Sequence, residues 1–330
     1  MEYNLISLNE SLWQEIVERS PSATFYHTPA WAKILTQTYP TWENATFMME
    51  FEDGNLAVFP LLRRYLFNIK AFPWFESMVP GAYGGPVFRQ EPGTDHLLAI
   101  EKELKKIKNL QIVGNPFFLW DPDQGFSKLG TFTHILQLNQ DYSMVRKNFS
   151  KGRRDAISYS KRRGVTVNEA DFSKYYQEYY RIYEDQTSRW GGQAGVHYPV
   201  RLFEKLAQEA QGNSNIRLWA AWQEGKMVSG VIVFYHNKRV ILWHNATLTL
   251  SLKFRPVDLL YSTIIESACS NGLKYFDFGK SGGYLGVIQY KDHFGAQRVP
   301  ITEYRRNNIV GTIFRGVRFI QTYLHHFLQK

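Results

Sequence analysis

Of 330 residues only one, Cys269, is a cysteine. That count excludes an intramolecular disulfide and fits a reducing compartment. Cys269 falls on the predicted buried side of a helix, where a thiol is inert, so it is a poor nucleophile. Long apolar runs are missing as well: no segment approaches about 18 uninterrupted apolar residues, so no transmembrane helix is expected. The opening MEYNLISLNES is acidic and broken, unlike a secretory signal or a transit peptide, and the expected location is the cytoplasm. Nine histidines are scattered and only His325 and His326 are adjacent, so no metal-ligand spacing appears. There is no G-x-S-x-G elbow, no Walker loop and no dinucleotide fingerprint after a strand.

What is present is length, aromatic content and positive charge. The length exceeds what one core usually serves, and two domains are expected. Hydrophobic content of 44% and aromatic content of 16% supply sizeable cores. The net charge of +9 favours polyanionic partners: nucleic acid, nucleotide phosphates or an anionic membrane. Its main concentration lies between Arg146 and Arg163, with eight basic residues (Arg146, Lys147, Lys151, Arg153, Arg154, Lys161, Arg162, Arg163) against one acid, Asp155. Such a run is either a phosphate-binding face or a solvated helix. The helix predicted over Phe172 to Trp190 carries Tyr175, Tyr176, Tyr179, Tyr180 and Tyr183 on one face, a pattern that points to a core or interdomain role. Arg189 and Trp190 close it, and an arginine there can clamp a phosphate or carboxylate. Ala71 to Phe88 reads as an aromatic, Gly- and Pro-rich loop. Ile309 to Leu328 reads as a basic amphipathic helix, either packed on its own protein or lying on the inner face of a membrane.

The stretch from Arg255 to Arg298 holds the densest set of chemical signals. Pro256 suits a first helical turn, since its missing N–H would be unpaired there. Leu259, Leu260, Ile264, Ile265 and Ala268 then recur at helical spacing, and Asn271-Gly272 reads as the C-cap. A strand is predicted from Leu273 to Phe278, with Tyr275 and Asp277 on one face and Phe276 and Phe278 on the other. A glycine-bearing loop (Gly279, Gly282, Gly283, Gly286) leads to Tyr290-Lys291-Asp292-His293-Phe294-Gly295-Ala296. A carboxylate, a flexible loop and a lysine between aromatic residues form one wall of a site or an ordinary helix–strand–loop.

The phrase Phe276-Asp277-Phe278-Gly279, the loop, and then Y-K-x-x-F-G-A resemble the C-terminal half of the FemAB-like acyltransferases. That group includes the peptidoglycan bridge-forming aminoacyltransferases and the BioF2-like acetyltransferase domains. Arg153-Arg154-Asp155-Ala156-Ile157 followed by Lys161-Arg162-Arg163-Gly164-Val165 is similar to the family's basic helix and strand start. Thr187-Ser188-Arg189-Trp190 looks like its helix-end segment, and Phe25-Tyr26-His27-Thr28-Pro29-Ala30-Trp31 like its opening signature. Together these motifs span most of the chain. The resemblance implies an α/β (α+β) fold of two tandem GNAT-like domains with mixed, largely antiparallel central sheets. Residues 1–140 would form the first, 141–305 the second and 306–330 a C-terminal helix. It implies an N-acyltransferase or aminoacyltransferase with no permanently bound cofactor, drawing on acyl-CoA or aminoacyl-tRNA as co-substrate. The acceptor would be an amine of a cell-envelope or glycan precursor.

The chain departs from ordinary GNAT enzymes in one place and from the bridge-forming enzymes in two, the second being that Lys33, close to Trp31, is not securely matched to the lysine that follows the N-terminal Trp in some members. The acetyl-CoA signature of ordinary GNAT enzymes, Q/R-x-x-G-x-G/A, is replaced before the second-domain helix by Leu250-Ser251-Leu252-Lys253-Phe254-Arg255. The long helical tRNA arm of the bridge-forming enzymes finds no room. Acyl transfer to an amine needs the amine deprotonated and held against an activated carbonyl, with the oxyanion stabilised. Lys291 is the expected cation for oxyanion or donor phosphate, and the resemblance points to the same residue. Asp277 is expected to orient or deprotonate the amine, or to make a structural hydrogen bond. The resemblance implies that Arg189 binds an acceptor phosphate, and Trp190, Arg153, Arg154 and Tyr290 are taken with it as substrate-binding. His244 and Tyr284 are weaker candidates for the same cleft. The rival reading is a basic nucleic-acid-binding or membrane-peripheral protein with an inactive GNAT-like fold, distinguished by where the basic side chains point.

Overall fold

The computed structural model describes residues 1–65, 69–77, 82–122, 125–190 and 197–306. It contains two compact units: Met1–Thr131 with the described residues from Pro300 on, and Phe132–Val299. The C-terminal helix expected over 309–328, and with it any membrane contact, lies outside the described residues.

The first unit opens with β1 (Tyr3–Ile6), α1 (Glu10–Arg19) and α2 (Pro29–Thr38). Helix α2 starts where its sequence says it should. Thr28 is the N-cap and its side chain accepts from the Trp31 N–H, with Pro29 in the first turn. There follow β2 (Glu43–Asn44), β3 (Phe47–Phe51), β4 (Leu56–Phe59), β5 (Leu62–Tyr65), β6 (Pro73–Ser77), β7 (Val87–Phe88), α3 (Thr94–Leu104), β8 (Leu110–Val113) and β9 (Ser127–Gln137), whose end from Phe132 on belongs to the second unit. Strands β1, β3, β4 and β7 form one antiparallel sheet. In the other, β5 pairs antiparallel with β2 and β6, whereas β6 and β8 run parallel. The Ala71–Phe88 stretch is thus not wholly loop. Trp74 and Glu76 alternate with Phe75 on a strand that Pro73 opens. Gly84 is obligatory here, because a Cβ would sit 2.0 Å from the Ser77 carbonyl oxygen.

The second unit continues with α4 (Tyr142–Lys147), α5 (Lys151–Arg162), β10 (Thr166–Ala170), α6 (Phe172–Arg189), α7 (Val200–Ala210), β11 (Ile216–Gln223), β12 (Lys226–His236), β13 (Arg239–Thr247), α8 (Pro256–Ser270), β14 (Tyr275–Lys280), α9 (Leu285–Asp292) and β15 (Gln297–Arg306), which ends in the first unit. Strands β10 to β13 are consecutive antiparallel neighbours. Strand β14 then lies parallel to β13 and antiparallel to the end of β9. The core between this sheet and α8 is built from the predicted stripe, with Leu259, Leu260, Ile264, Ile265 and Ala268 all buried. Gly272 ends α8 at φ 66°, the left-handed conformation a C-cap needs.

Two elements differ from the sequence reading. The glycine-bearing segment contains helix α9, whose apolar Leu285 and Val287 face solvent while Ile288 and Lys291 are buried. A helix without an apolar stripe leaves no periodicity to find. Of the five tyrosines on α6, Tyr179 and Tyr183 enter the core and the other three stay partly exposed.

Candidate active site at the end of β14

The F-D-F-G strand alternates as expected, and both of its faces are closed. Phe276 and Phe278 pack on Tyr261 of α8. On the opposite face Asp277 has no exposed surface; its Oδ1 accepts from the Thr133 hydroxyl at 2.9 Å and from the Gly279 N–H at 2.8 Å. Gly279 takes φ 68°, which turns the chain so that its carbonyl and that of Lys280 face α9. Lys291, 7% exposed, donates to both carbonyls, at 2.8 and 3.0 Å. Burial lowers its pKa from the usual lysine value to about 8, partly offset by the Asp277 carboxylate. An ammonium carries three N–H groups, and these carbonyls use two of them. Tyr284 caps the same helix and is exposed.

Sequence reasoning missed four residues beside this lysine: His134, Ser281, Asp292 and Arg298. His134, on β9 and fully buried, hydrogen-bonds with Ser281 Oγ through Nδ1 at 3.3 Å and with Asp292 Oδ1 through Nε2 at 3.2 Å. Arg298 binds the Asp292 carboxylate in turn, at 2.5 Å from Nη2. The only available signal was adjacency: Asp292 follows Lys291, but His134 lies 158 residues away.

The other expected residues gather in two separate groups. Arg153 lies over the Tyr290 ring, 4.2 Å from its centroid, and pairs with the buried Asp258 of α8. Asp258 also accepts from Tyr290 at 3.2 Å and from Arg255 Nε at 3.1 Å. Arg154 turns back to the Lys147 and Phe149 carbonyls and ties α5 to the end of α4. Both arginines are therefore spent on packing helices together. At the end of α6, Arg189 reaches the Thr247 carbonyl at 3.4 Å and Thr249 Oγ1 at 3.1 Å, and Trp190 is 43% exposed. His244 sits among the rings of Tyr183, Phe203, Tyr198 and Trp243 and hydrogen-bonds with Tyr179. Burial drives its pKa to about 3, so the ring is neutral at any ordinary pH.

Between these groups the sheet opens. Strands β13 and β14 are in register at only three positions, ending with Ile241 opposite Asp277, although β13 continues to Thr247. Beyond the opening Gln186 of α6 serves β13 as a neighbouring strand would, donating to the Asn245 carbonyl and accepting from the Thr247 N–H, both at 3.1 Å. Helix α8 begins nearby after a 3₁₀ turn, Thr249–Phe254, with Arg255 at φ 59° where a Gly-rich phosphate loop would stand.

Residues 143–292 match the acetyltransferase (GNAT) domain family. No protein with a curated description matches the chain in sequence. Among solved structures, that of FemX superposes with a TM-score of 0.68 at 12% identity, covering 92% of this chain and 97% of that one. The C-terminal domain of a putative lysylphosphatidylglycerol synthetase from Agrobacterium fabrum gives 0.60 at 13% identity, over 92% and 93% of the two chains. A Bacteroides thetaiotaomicron protein of unknown function gives 0.58 at 11% identity, over 93% and 100%. The resemblance carried by the motifs thus holds in the fold: residues 143–292 match a GNAT acetyltransferase domain, and the chain as a whole has a fold like that of FemX.

Proposed function

We propose that the protein is an N-acyltransferase moving an acyl or aminoacyl group from an activated donor, acyl-CoA or aminoacyl-tRNA, to an amine of a cell-envelope or glycan precursor. The observation that carries this reading is the opening between β13 and β14, with Lys291 buried at the end of β14. An extended donor arm laid along β13 can hydrogen-bond to backbone there as a strand does. The reaction is assigned to the C-terminal GNAT-like domain, 141–305, by direct attack of the amine within a ternary complex. Lys291 stabilises the oxyanion through its third N–H, and Asp277, too enclosed to reach an amine, fixes the turn and the charge of that lysine. Arg189 and Trp190 flank the mouth where an acceptor phosphate would lie. The acceptor class is supported by the names of the similar structures, FemX and an enzyme named for lysylphosphatidylglycerol.

The test is binding of the purified protein to acetyl-CoA and, separately, to charged tRNA, each across a salt series and each followed by turnover with an amino sugar. Tight CoA binding with a shallow salt slope identifies an acyl-CoA donor; tight tRNA binding with a steep slope identifies an aminoacyl donor. Binding of neither refutes the transferase reading.

A further inference from the structure

Ser281, His134 and Asp292 form a polar track that the roles given above leave unused. It begins at the surface, where Gly282, Gly283 and Tyr284 are exposed, and runs inward through Ser281 to His134. Its direction follows from the chemistry of each member. Arg298 hydrogen-bonds both oxygens of Asp292, from Nη2 to Oδ2 at 2.5 Å and from Nε to Oδ1 at 3.2 Å, and holds its pKa below the usual carboxylate value. Asp292 is therefore ionised and can only accept, which fixes a proton on His134 Nε2. The charged groups facing this imidazole are Lys291 and Asp292 of α9 and Arg298 of β15. Burial first, and then the Lys291 charge, push its pKa below the ordinary histidine value, against the pull of Asp292. A neutral ring protonated at Nε2 has its lone pair on Nδ1, and Ser281 Oγ lies 3.3 Å from that atom.

We propose that Ser281 is the group that takes the proton from the attacking amine, passing its own to His134, with Asp292 and Arg298 holding the ring in register. The inference rests on the acyl-transfer reading and names its base. As the amine nitrogen attacks the donor carbonyl, the C–N bond forms and the C–S bond of a thioester, or the C–O bond of an aminoacyl ester, breaks. The electron pair leaves with sulfur or oxygen. The surplus amine proton passes to Ser281 Oγ while the serine proton passes to His134 Nδ1. The imidazolium then returns a proton, back through Ser281 Oγ, to the leaving thiolate or alkoxide. Ser281 touches the acceptor; His134 and Asp292 act through it and are positioning residues.

Two measurements test this on the full chain. The first needs no donor: nitrogen NMR of the histidine rings. It should show His134 neutral at pH 7 with its proton on Nε2, and Ser281→Ala should shift the Nδ1 resonance alone. A ring protonated on Nδ1, or on both nitrogens, overturns the proposal. The second compares an amino-sugar acceptor with O-methylhydroxylamine, a weak base whose adduct is acidic enough to lose its surplus proton to water without a positioned base. Ser281→Ala should lower kcat about 10²–10⁴-fold with the amino sugar, the usual range for losing a positioned base. With the second acceptor the loss should stay within about tenfold. Equal losses with both acceptors, or no loss, overturn the base assignment. A wild-type protein inert toward both donors would instead remove the transferase reading, while the NMR result still decides whether the track exists.

Discussion

Around Asp258 the second unit gathers two arginines and a tyrosine on one carboxylate, whereas around Lys291 it gathers two backbone carbonyls on one ammonium. Asp258 and Lys291 are both buried, and Arg153, Tyr290 and Lys291 belong to motifs of the FemAB-like resemblance. The first is satisfied by formal charges and hydrogen bonds that join α5, α8 and α9. The second keeps an N–H in reserve and lies against a histidine, a serine and a second carboxylate. The difference separates a charge that holds the fold together from one that is held for something else.

The largest effect expected from breaking this comparison is on the closed group. Asp258→Ala leaves Arg153 and Arg255 facing a vacated, buried position, and removing one partner of a buried pair costs about 3–5 kcal/mol. Urea denaturation should show that loss. A cost under about 1 kcal/mol would mean that the arginines relax into solvent and that the group is not structural.

Lys291→Ala should instead spare the fold and cut turnover by about 10²-fold or more, the scale of one lost oxyanion donor. Turnover within a few-fold of wild type would sink that role. The pH dependence carries a sign. Burial lowers the lysine to about 8, so the ammonium is present below that pH and lost above it, and the rate should fall on the alkaline side near pH 8. The stability term runs the other way. Between about pH 8 and the usual lysine value the unfolded chain binds the proton and the folded chain does not, so the lysine's contribution to stability rises with pH. A rate that is flat through pH 9 while stability rises would detach the charge from the chemistry.

Much of this is legible in the sequence. Pro256 and Asn271-Gly272 bracket α8, Thr28-Pro29 starts α2, and the F-D-F-G alternation places Asp277, because each signal is local and has a backbone cause. What could not be read depends on distant partners or on a missing stripe. Arg153 reads as a phosphate ligand until Asp258, 105 residues on, is seen to take it. His134 reads as one more strand residue, and α9 buries too little apolar surface to show a period.

A smaller effect is expected at Gly230, where an added Cβ would come within 2.6 Å of the Tyr179 ring. Tyr179 is fully buried and bonded to His244, so the ring has nowhere to swing and Gly230→Ala should cost about 1–3 kcal/mol of overpacking. The loss should be felt in stability and not in the pH profile of turnover, since His244 is already neutral across the working range. A displaced pH profile would tie the aromatic group around His244 to the chemistry at Lys291.

The smallest effect on stability, and the sharpest on the rival reading, lies in the basic segment. Its charges divide: Arg153 and Arg154 are taken by Asp258 and by backbone carbonyls, while Lys147, Lys151, Lys161, Arg162 and Arg163 face solvent. Exposed charges without a buried partner contribute little to stability, so Lys161→Gln, Arg162→Gln and Arg163→Gln together should move the urea midpoint by no more than about 0.5 kcal/mol per site. If these side chains contact tRNA phosphates, each substitution should lower the salt slope of binding by about one. An unchanged slope would mean that the solvent-facing charges of the segment, like Arg153 and Arg154, make no nucleic-acid surface. Positive charge in this sequence would then mark where helices are tied and kept soluble, and the donor would be sought among acyl thioesters.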